Sequence, residues 1–248
     1  MRVSLALLVT ATLATSGCQY LFPELNPPAP TVDLGDGDAG LGAQHLTGRV
    51  CNVTDVRDYR TCPPLTGNYR ISIEETRDSV VTDASGAFTL VPTAALTLAT
   101  VGVSDPLGQR VSTIIRVRLA ATGPTTVNIP SVSTAEMQQL ETIAGSPGDL
   151  TRGMMLAYMV DQTGIPVAGV ISARITNATG PLYDGPSLNE LADAHATSAG
   201  GTIAFFDLPA GQLTLPVSPP AAYLPDTFVL PIRSNAVTIS ALILRPRP

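Results

Sequence analysis

Short segments in which apolar and polar residues alternate fill most of the chain after residue 43, and turn-forming residues separate them. A polar turn at 82–86 leads into the segment 87–90, and a similar turn at 197–201 leads into 202–205. In a β-strand every second side chain points to the same face. The side chains predicted to be buried are Phe88 and Leu90 after the first turn, and Ile203 and Phe205 after the second. The repeated pattern predicts an all-β fold.

A second repeated feature lies upstream of each turn. Pro64-Leu65-Thr66-Gly67 in the first half and Pro166-Val167-Ala168-Gly169 in the second are turn signals, and an alternating segment follows each. The residues predicted to face inward are Tyr69, Ile71 and Ile73 in the first half, and Ile171, Ala173 and Ile175 in the second. We therefore predict two β modules, 44–131 and 150–248. Because each carries its own apolar strands, residues 147–248 are expected to fold alone.

Together the two features resemble the signature of carboxypeptidase regulatory-like domains, in which T-D-x-x-G-x-F-x-L follows a P-L-x-G-A turn. The first copy matches at Thr82, Asp83, Gly86, Phe88 and Leu90. The second copy keeps Thr197 and Gly201, but Ser198 replaces the Asp and Ile203 replaces the Phe. The resemblance implies two tandem transthyretin-like (prealbumin-like, Ig-like) β-sandwiches.

One segment has a helical pattern, between the two modules. Ser133 can cap a helix that runs to Ala144, and Glu136 completes a capping box three residues later. Met137, Leu140 and Ile143-Ala144 form an apolar stripe, and Gly145 ends the helix. We expect the stripe to pack on one of the modules, so that 132–149 is a short helical connector.

The N-terminus has the layout of an export signal. Met1-Arg2 is followed by an uncharged apolar run, Val3 to Ala14, and then by Thr15-Ser16-Gly17-Cys18. This resembles a bacterial lipoprotein signal, with 1–17 as the signal peptide and Cys18 as the lipidation site. The alternative is an ordinary secretory signal with an unrelated Cys. Gln19 fits outer-membrane sorting, and the Pro- and Gly-rich residues 18–43 are predicted to form a flexible tether.

Two further cysteines, Cys51 and Cys62, bracket one loop of the first module. Disulfides persist in exported proteins, so we predict a bridge between them. The alternative, a metal site, would need more ligands, and His45 is the only His nearby. We expect no metal and no cofactor.

Composition excludes several functions. The formal net charge is −6, which disfavours nucleic-acid binding. The chain has no Lys, so it cannot form the Lys–Asn isopeptide bond that locks some surface β-domains. No catalytic sequence motif is present, so we predict no catalytic residues and no enzyme activity. Arg110, Arg116 and Arg118 alternate along one segment, either as a basic stripe for an anionic ligand or, as we favour, as a solvated sheet face.

The two modules differ most at 176–196, where the second has a long insertion. It carries a potential stacking ring, carboxylates and an imidazole: Tyr183, Asp184, Glu190, Asp193 and His195. Long loops at sandwich ends often carry function, so this is the predicted binding site, with a short helix starting at Ser187. The alternative is a loop that covers a sheet edge.

The sequence thus predicts a membrane-tethered protein of the bacterial envelope. It would be an outer-membrane lipoprotein that faces the periplasm or the cell surface, with a structural or protein-contact role. The alternative function is binding of a glycan or small ligand through 176–196. The expected partners are the membrane, through the lipid, and envelope proteins or glycans.

Overall fold

The structure is a computed structural model that describes residues 44–58, 61–146, 148–187 and 189–248. The predicted signal peptide, Cys18 and the tether to residue 43 lie outside the described residues. Within the described part, no helix is long and apolar enough to cross a membrane.

Strands dominate the chain, which confirms the all-β prediction. The strands of the first half are β1 (His45–Asn52), β2 (Arg70–Ile73), β3 (Ser79–Val81), β4 (Ala87–Leu90), β5 (Leu98–Ser104), β6 (Ser112–Arg118) and β7 (Pro124–Ser131). The helix α1 (Thr134–Ala144) follows. The strands of the second half are β8 (Gly153–Val160), β9 (Ile171–Ser172), β10 (Thr179–Asp184), β11 (Leu191–Ala192), β12 (Thr202–Leu208), β13 (Gly211–Ser218), β14 (Asp226–Ile232) and β15 (Ala236–Ile243).

A single nine-stranded sheet runs through both halves. Its order is β11-β10-β12-β8-β15-β6-β5-β2-β3. The halves meet where β15 pairs in parallel with β6, over Ala236–Thr238 and Ser112–Ile114. Two three-stranded sheets, β4-β1-β7 and β14-β13-β9, complete the fold. Each half is therefore a β-sandwich, and the two sandwiches share their middle layer.

Strand β8 divides its side chains between two cores. Leu156, Tyr158 and Val160 belong to a core that also contains apolar residues of β1, β4, β7 and α1. The alternate residues of β8, such as Met155 and Ala157, belong to a second core with β13 and β14. The second core belongs to the second half alone, whereas the first core takes residues from both halves, so the first module does not have a core of its own. The predicted boundaries at 131 and 150 remain predictions.

The two repeated sequence features are bonded to each other in each half. Thr82 Oγ1 donates to Gly67 O at 2.8 Å and accepts from Tyr69 N at 2.9 Å. In the second half Thr197 Oγ1 donates to Val167 O at 2.9 Å. Each Thr hydroxyl therefore links the turn before a strand to the upstream turn, which explains why the two features occur together.

The inward-facing residues after the turns are mostly as predicted. Phe88 and Leu90 are buried, and so are Ile203 and Phe205. The alternation predicted for 171–175 is wrong, because Ile171 is 49% exposed and Ser172 is buried. Ser172 pairs with Val217 of β13, and its backbone N–H donates to the buried Tyr183 hydroxyl at 3.0 Å.

The helix α1 begins and ends as predicted. Glu136 N donates to Ser133 Oγ at 3.1 Å, and Ser133 N donates to Glu136 Oε2 at 3.2 Å. Gly145 ends the helix in the left-handed conformation, at φ 66°. Met137 and Leu140 are buried in the shared core, where α1 packs against β10 and β11. The connector is therefore part of the packed body.

The three alternating arginines do not form one stripe. Arg110 is partly buried and donates to Ser131 O at 2.6 Å, and it also contacts Asn52. Burial lowers the pKa of Arg110. Arg116 donates to Val229 O at 3.2 Å, in the second half, and Arg118 is exposed.

Candidate functional site

The Cys51–Cys62 disulfide is present, with a Cα–Cα distance of 5.2 Å, as predicted. Cys51 is the seventh residue of β1, so the bridge closes the loop that leaves that strand. Four residues inside this loop, 54–57, form hydrogen bonds to the second half of the chain.

The disulfide loop is held by the segment 185–202. Val56 N donates to Asn189 Oδ1 at 2.9 Å, and Thr202 Oγ1 donates to Val56 O at 3.0 Å. Arg57 Nη1 donates to Pro186 O at 2.6 Å. These contacts bridge sequence separations of more than 100 residues, so the loop connects the halves at a second place besides the shared sheet.

An ion pair inside the loop orients these contacts. Arg57 and Asp55 form a salt bridge of 2.8 Å, and Asp55 Oδ1 also accepts from Asn189 N at 3.2 Å. Burial acts to raise the pKa of Asp55, but the hydrogen bonds from Arg57 and Asn189 outweigh it and lower that pKa. The carboxylate is therefore charged over the ordinary pH range and holds Arg57 towards Pro186.

The insertion 176–196 forms two strands, β10 and β11, at one edge of the central sheet. β10 pairs with β12, and β11 pairs with β10 at Tyr183↔Ala192 and Asp184↔Leu191. The helix predicted from Ser187 is wrong, because Glu190 instead closes a turn by accepting from Ser187 N at 2.8 Å. The Ser187 hydroxyl, and then this backbone bond, lower the pKa of Glu190.

Asp184 is buried and organises the second turn. It accepts from Gly200 N at 2.7 Å, from Thr202 N at 3.0 Å, and from both the N–H and the hydroxyl of Ser198. In the first turn Asp83 accepts from Ser85 N at 2.8 Å and Ala87 N at 3.0 Å. Ser85 and Ala87 occupy the positions of Gly200 and Thr202, so the insertion supplies the carboxylate that the second copy lacks at Ser198.

The five predicted binding residues do not form one site. Tyr183 is only 2% exposed, and burial raises the pKa of its hydroxyl, so its ring cannot stack on a ligand from solvent. Asp184 is saturated with backbone donors. Asp193 and His195 are exposed beyond β11, and Glu190 is half-buried. Of the five residues, only Asp193 and His195 are therefore exposed to a ligand.

A cleft of about 280 Å³ lies between α1 and the insertion. Its apolar walls come from the last turn of α1 and from β10 and β11, and its two charged residues are Arg174 and Asp193. Neither charged side chain has a hydrogen-bond or ion-pair partner within the described residues. Nor do those residues contain a group of three or more His, Cys, Asp or Glu that could hold a metal ion.

Sequence reasoning missed the contacts between the halves. Asp55, Arg57 and Asn189 carry no motif, and their pairing depends on how the two halves meet. The sequence does carry a signal for another surface, the edge of β14. Pro216 lies in β13 and Pro231 lies in β14, and proline in a strand indicates an edge or a position without a ladder hydrogen bond.

No model of a known protein family matches the chain, and a search of curated proteins found no match. Among solved structures, a minor pilin of Streptococcus agalactiae is 11% identical, with 83% of this chain and 97% of the pilin covered and a TM-score of 0.29. The Bacillus anthracis TIE protein is 16% identical, with 83% and 34% covered and a TM-score of 0.27. A type II cohesin–X-dockerin complex of Acetivibrio cellulolyticus is 20% identical, with 35% and 56% covered and a TM-score of 0.26.

The match therefore spans about a third of the Bacillus anthracis chain and just over half of the cohesin-complex chain. TM-scores this low do not establish a common fold. The β-sandwich assignment rests on the strands, sheets and cores of this chain.

Proposed function

We propose that the protein is a lipid-anchored protein of the bacterial cell envelope, and that its two joined β-sandwiches serve a structural or protein-contact role. The observation that carries the role is the nine-stranded sheet that runs through both halves. A shared sheet and a shared core resist hinge motion, because moving one half would break both ladder pairing and packing. Such a body holds its surfaces in fixed positions relative to each other.

Two further observations support the envelope location. The sequence layout before Cys18 is that of a lipoprotein signal, and Cys51 and Cys62 form a disulfide. Disulfides persist in oxidising compartments such as the periplasm and the cell surface. Gln19 after the lipidated Cys favours the outer membrane as the destination.

The finer family assignment belongs to the same proposal. We infer that the halves are carboxypeptidase regulatory-like, transthyretin-like sandwiches. The support is the Thr hydroxyl that joins the two sequence features in each half, together with parallel pairing of the first and last strands, β1 with β7 and β8 with β15. The halves thus match each other in topology as well as in sequence.

The test is a Cys18→Ser variant expressed in the native host, with Ser16→Ala as a matched control. The control should fractionate with membranes and take up labelled fatty acid, whereas Cys18→Ser should do neither. Cross-linking in intact cells should give discrete products with envelope proteins for the control only. Unchanged membrane association and labelling of Cys18→Ser would contradict the anchor, and an absence of cross-linked products would contradict the contact role.

A second candidate function, binding of a glycan or small ligand, is favoured by the cleft beside α1. Its apolar walls and its two unpaired charges suit a compact ligand with one polar and one apolar side. Deleting the insertion is not a usable test of this cleft, because replacing 178–194 would remove β10, β11 and Asp184 and would unfold the second turn.

Point variants test the cleft instead. Arg174→Gln and Asp193→Asn are compared with the parent protein on a glycan array and in thermal-shift assays, and the exposed His195→Gln is the control. Equal ligand responses of the parent and the three variants would exclude the cleft as the binding site.

A further inference from the structure

A second cleft, of about 300 Å³, lies where the two halves meet, and strand edges form its sides. β15 pairs with β6 only from Ala236 to Thr238, and beyond that point the two strands have no mutual pairing. β14 pairs with β13 alone, so its other edge is free, and residues 227–230 of β14 line the cleft.

Two prolines determine which backbone groups of β14 point outwards. In an antiparallel ladder hydrogen-bonded and non-hydrogen-bonded pairs alternate, and proline has no N–H to donate. Pro216 lies opposite Thr227, and Pro231 lies opposite Gln212, so both pairs are non-hydrogen-bonded. Val229 lies midway between Thr227 and Pro231 and belongs to the same set. The backbone groups of Thr227 and Val229 therefore point towards the cleft.

The observed hydrogen bonds agree with this alternation. Arg116 Nη1 donates to Val229 O at 3.2 Å, and Thr238 Oγ1 donates to Pro231 O, both from the cleft side. Thr227 N donates to the side chain of Asp226 at 2.8 Å. Two outward groups, Thr227 C=O and Val229 N–H, have no partner within the described residues.

These two groups have the spacing that a parallel strand uses. In a parallel ladder one residue donates its N–H to the residue before its opposite number and accepts from the residue after it. A residue placed opposite Phe228 would bond Thr227 C=O and Val229 N–H. An antiparallel strand would instead need Val229 C=O, which Arg116 occupies.

The surroundings select the side chains of the incoming strand. Arg116 and Arg118 lie on one face of β6, opposite Thr100 and Leu98. Arg116 is the one charged residue among the described residues that line the cleft. The apolar lining comes from Leu98, Phe228, Leu230, Leu242 and Ile243. The face therefore fits a strand whose inner row carries an acidic side chain between apolar ones.

We propose that the free edge of β14 binds an extended segment of a partner protein, which adds as a parallel strand and places an acidic side chain at Arg116. Main-chain bonds to a sheet edge supply affinity in such complexes, and alternate side chains supply specificity. The proposal deepens the protein-contact role above by naming a surface and the class of partner. The anchoring and cross-linking tests do not depend on β14, so a failure here would leave that role standing.

The probe is a fluorescent peptide with the core Leu-Thr-Asp-Thr-Leu, capped at both ends and titrated into the purified protein. Two control peptides are needed: one with Lys in place of Asp, and one with a methyl group on the amide nitrogen of Asp. We expect the parent peptide to bind and both controls to bind at least about tenfold more weakly. Equal binding of the methylated peptide would overturn strand addition.

Matched variants locate the site. Val229→Pro removes the outward N–H without touching the β13 ladder, and Thr214→Pro makes the same change at the opposite residue of β13, facing away from the cleft. We expect Val229→Pro and Arg116→Gln to weaken binding about tenfold or more, and Thr214→Pro and Arg70→Gln to bind as the parent does. Equal losses in the two proline variants would overturn the proposal.

A measurement on the unaltered protein does not depend on the variants folding. Hydrogen exchange of the amides in Asp226–Ile232 should slow when the parent peptide binds, and exchange in β3 at the far sheet edge should not change. Protection elsewhere, or none in β14, would overturn the proposal. The proposal would also be overturned if the free protein self-associated and Val229→Pro abolished that self-association, because the edge of β14 would then bind a second copy of the chain.

Discussion

Asp83 and Asp184 bind equivalent backbone amides in the two turns, although they come from different places in the chain. Asp83 lies within its own turn, whereas Asp184 reaches the turn from β10. Gly86 and Gly201 occupy the matching left-handed positions, at φ 76° and 67°. A Cβ at Gly201 would lie 2.6 Å from Met159 O, so the backbone of this turn is as constrained as the first. The insertion therefore has a structural role that does not require a ligand.

Asp184→Ala should lower the free energy of unfolding by about 2–4 kcal/mol, because it leaves the buried amide of Thr202 and the amide of Gly200 without an acceptor. Ser198→Asp, which places the carboxylate at the position of Asp83, should restore a large part of this loss in the Asp184→Ala background. Urea denaturation measures both effects. Asp193→Ala, exposed in the same insertion, is the control and should change stability by less than about 0.5 kcal/mol. A rescue that fails would contradict the equivalence of the two carboxylates.

Glu141 predicts a pH dependence. Burial, and then the nearby charge of Asp207, raise the pKa of Glu141 above its ordinary value. Its protonated form is therefore favoured in the folded state, and the stability that this gives is present at acid pH and lost as pH rises through the folded pKa. Glu141→Gln should be more stable than the parent at pH 7, and the advantage should disappear towards about pH 4. Urea midpoints at both pH values measure the stability difference between Glu141→Gln and the parent, with Asp193→Asn as the control variant. A difference that does not change with pH would contradict its assignment to the raised pKa of Glu141.

At the scale of elements, the disulfide loop acts on the segment that follows β10. The bridge restricts residues 52–61, and Val56 and Asp55 inside this loop bind Asn189. A loop of this length contributes about 3 kcal/mol through its restriction of the unfolded chain. Because the loop also presents its backbone to the second half, the bridge and Asn189 should be energetically coupled.

A double-mutant cycle tests this coupling. Asn189→Ala should cost about 1–2 kcal/mol in the oxidised protein, because Val56 N–H loses its acceptor Asn189 Oδ1 and Thr54 O loses its donor Asn189 Nδ2. In a Cys51→Ala/Cys62→Ala background the cost should fall, with an interaction free energy of about 1 kcal/mol. Urea denaturation of the four proteins gives the value, and Gln162→Ala, in an exposed turn, replaces Asn189→Ala in the control cycle. Additive effects would contradict coupling.

Elements whose cause is local were predictable from the sequence. The capping box determines the start of α1, Gly145 determines its end, and Asp83 and Gly86 determine the first turn, because each depends on neighbours within a few residues. The alternation at 87–90 also gave the buried face correctly. These signals need no knowledge of how distant strands pair.

Elements whose cause is distant were missed. The alternation over 171–175 predicts the wrong face for Ile171, because the register of β9 depends on its pairing with the distant strand β13. The sequence predicts a long loop with a short helix for the insertion, because its strands are short and are stabilised by pairing with β12. The disulfide partners were predicted, but not the contacts of the loop that they close. Of the predicted binding site, only the exposed positions Asp193 and His195 remain accessible.

At the scale of the whole molecule, the shared sheet makes the two halves interdependent. β15 is the last strand of the chain, and it lies between β8 of its own half and β6 of the other. Arg233 and Glu74 form an ion pair across the same junction, with Nε to Oε1 at 2.8 Å. The chain is therefore expected to unfold in one transition rather than two.

The isolated second half, residues 150–248, tests this interdependence. Without the first half and α1 it would expose Leu156, Tyr158 and Val160, which lie in the shared core with at most 1% exposure. Burial of each such side chain contributes about 1.5–3 kcal/mol, while whole domains are stable by about 5–15 kcal/mol. We therefore expect the fragment to melt without a cooperative transition, and the full chain to show one transition by calorimetry. Adding residues 44–149 as a second fragment should restore cooperative melting. A fragment that alone melts as sharply as the full chain, and at the same temperature, would show that each half carries a sufficient core.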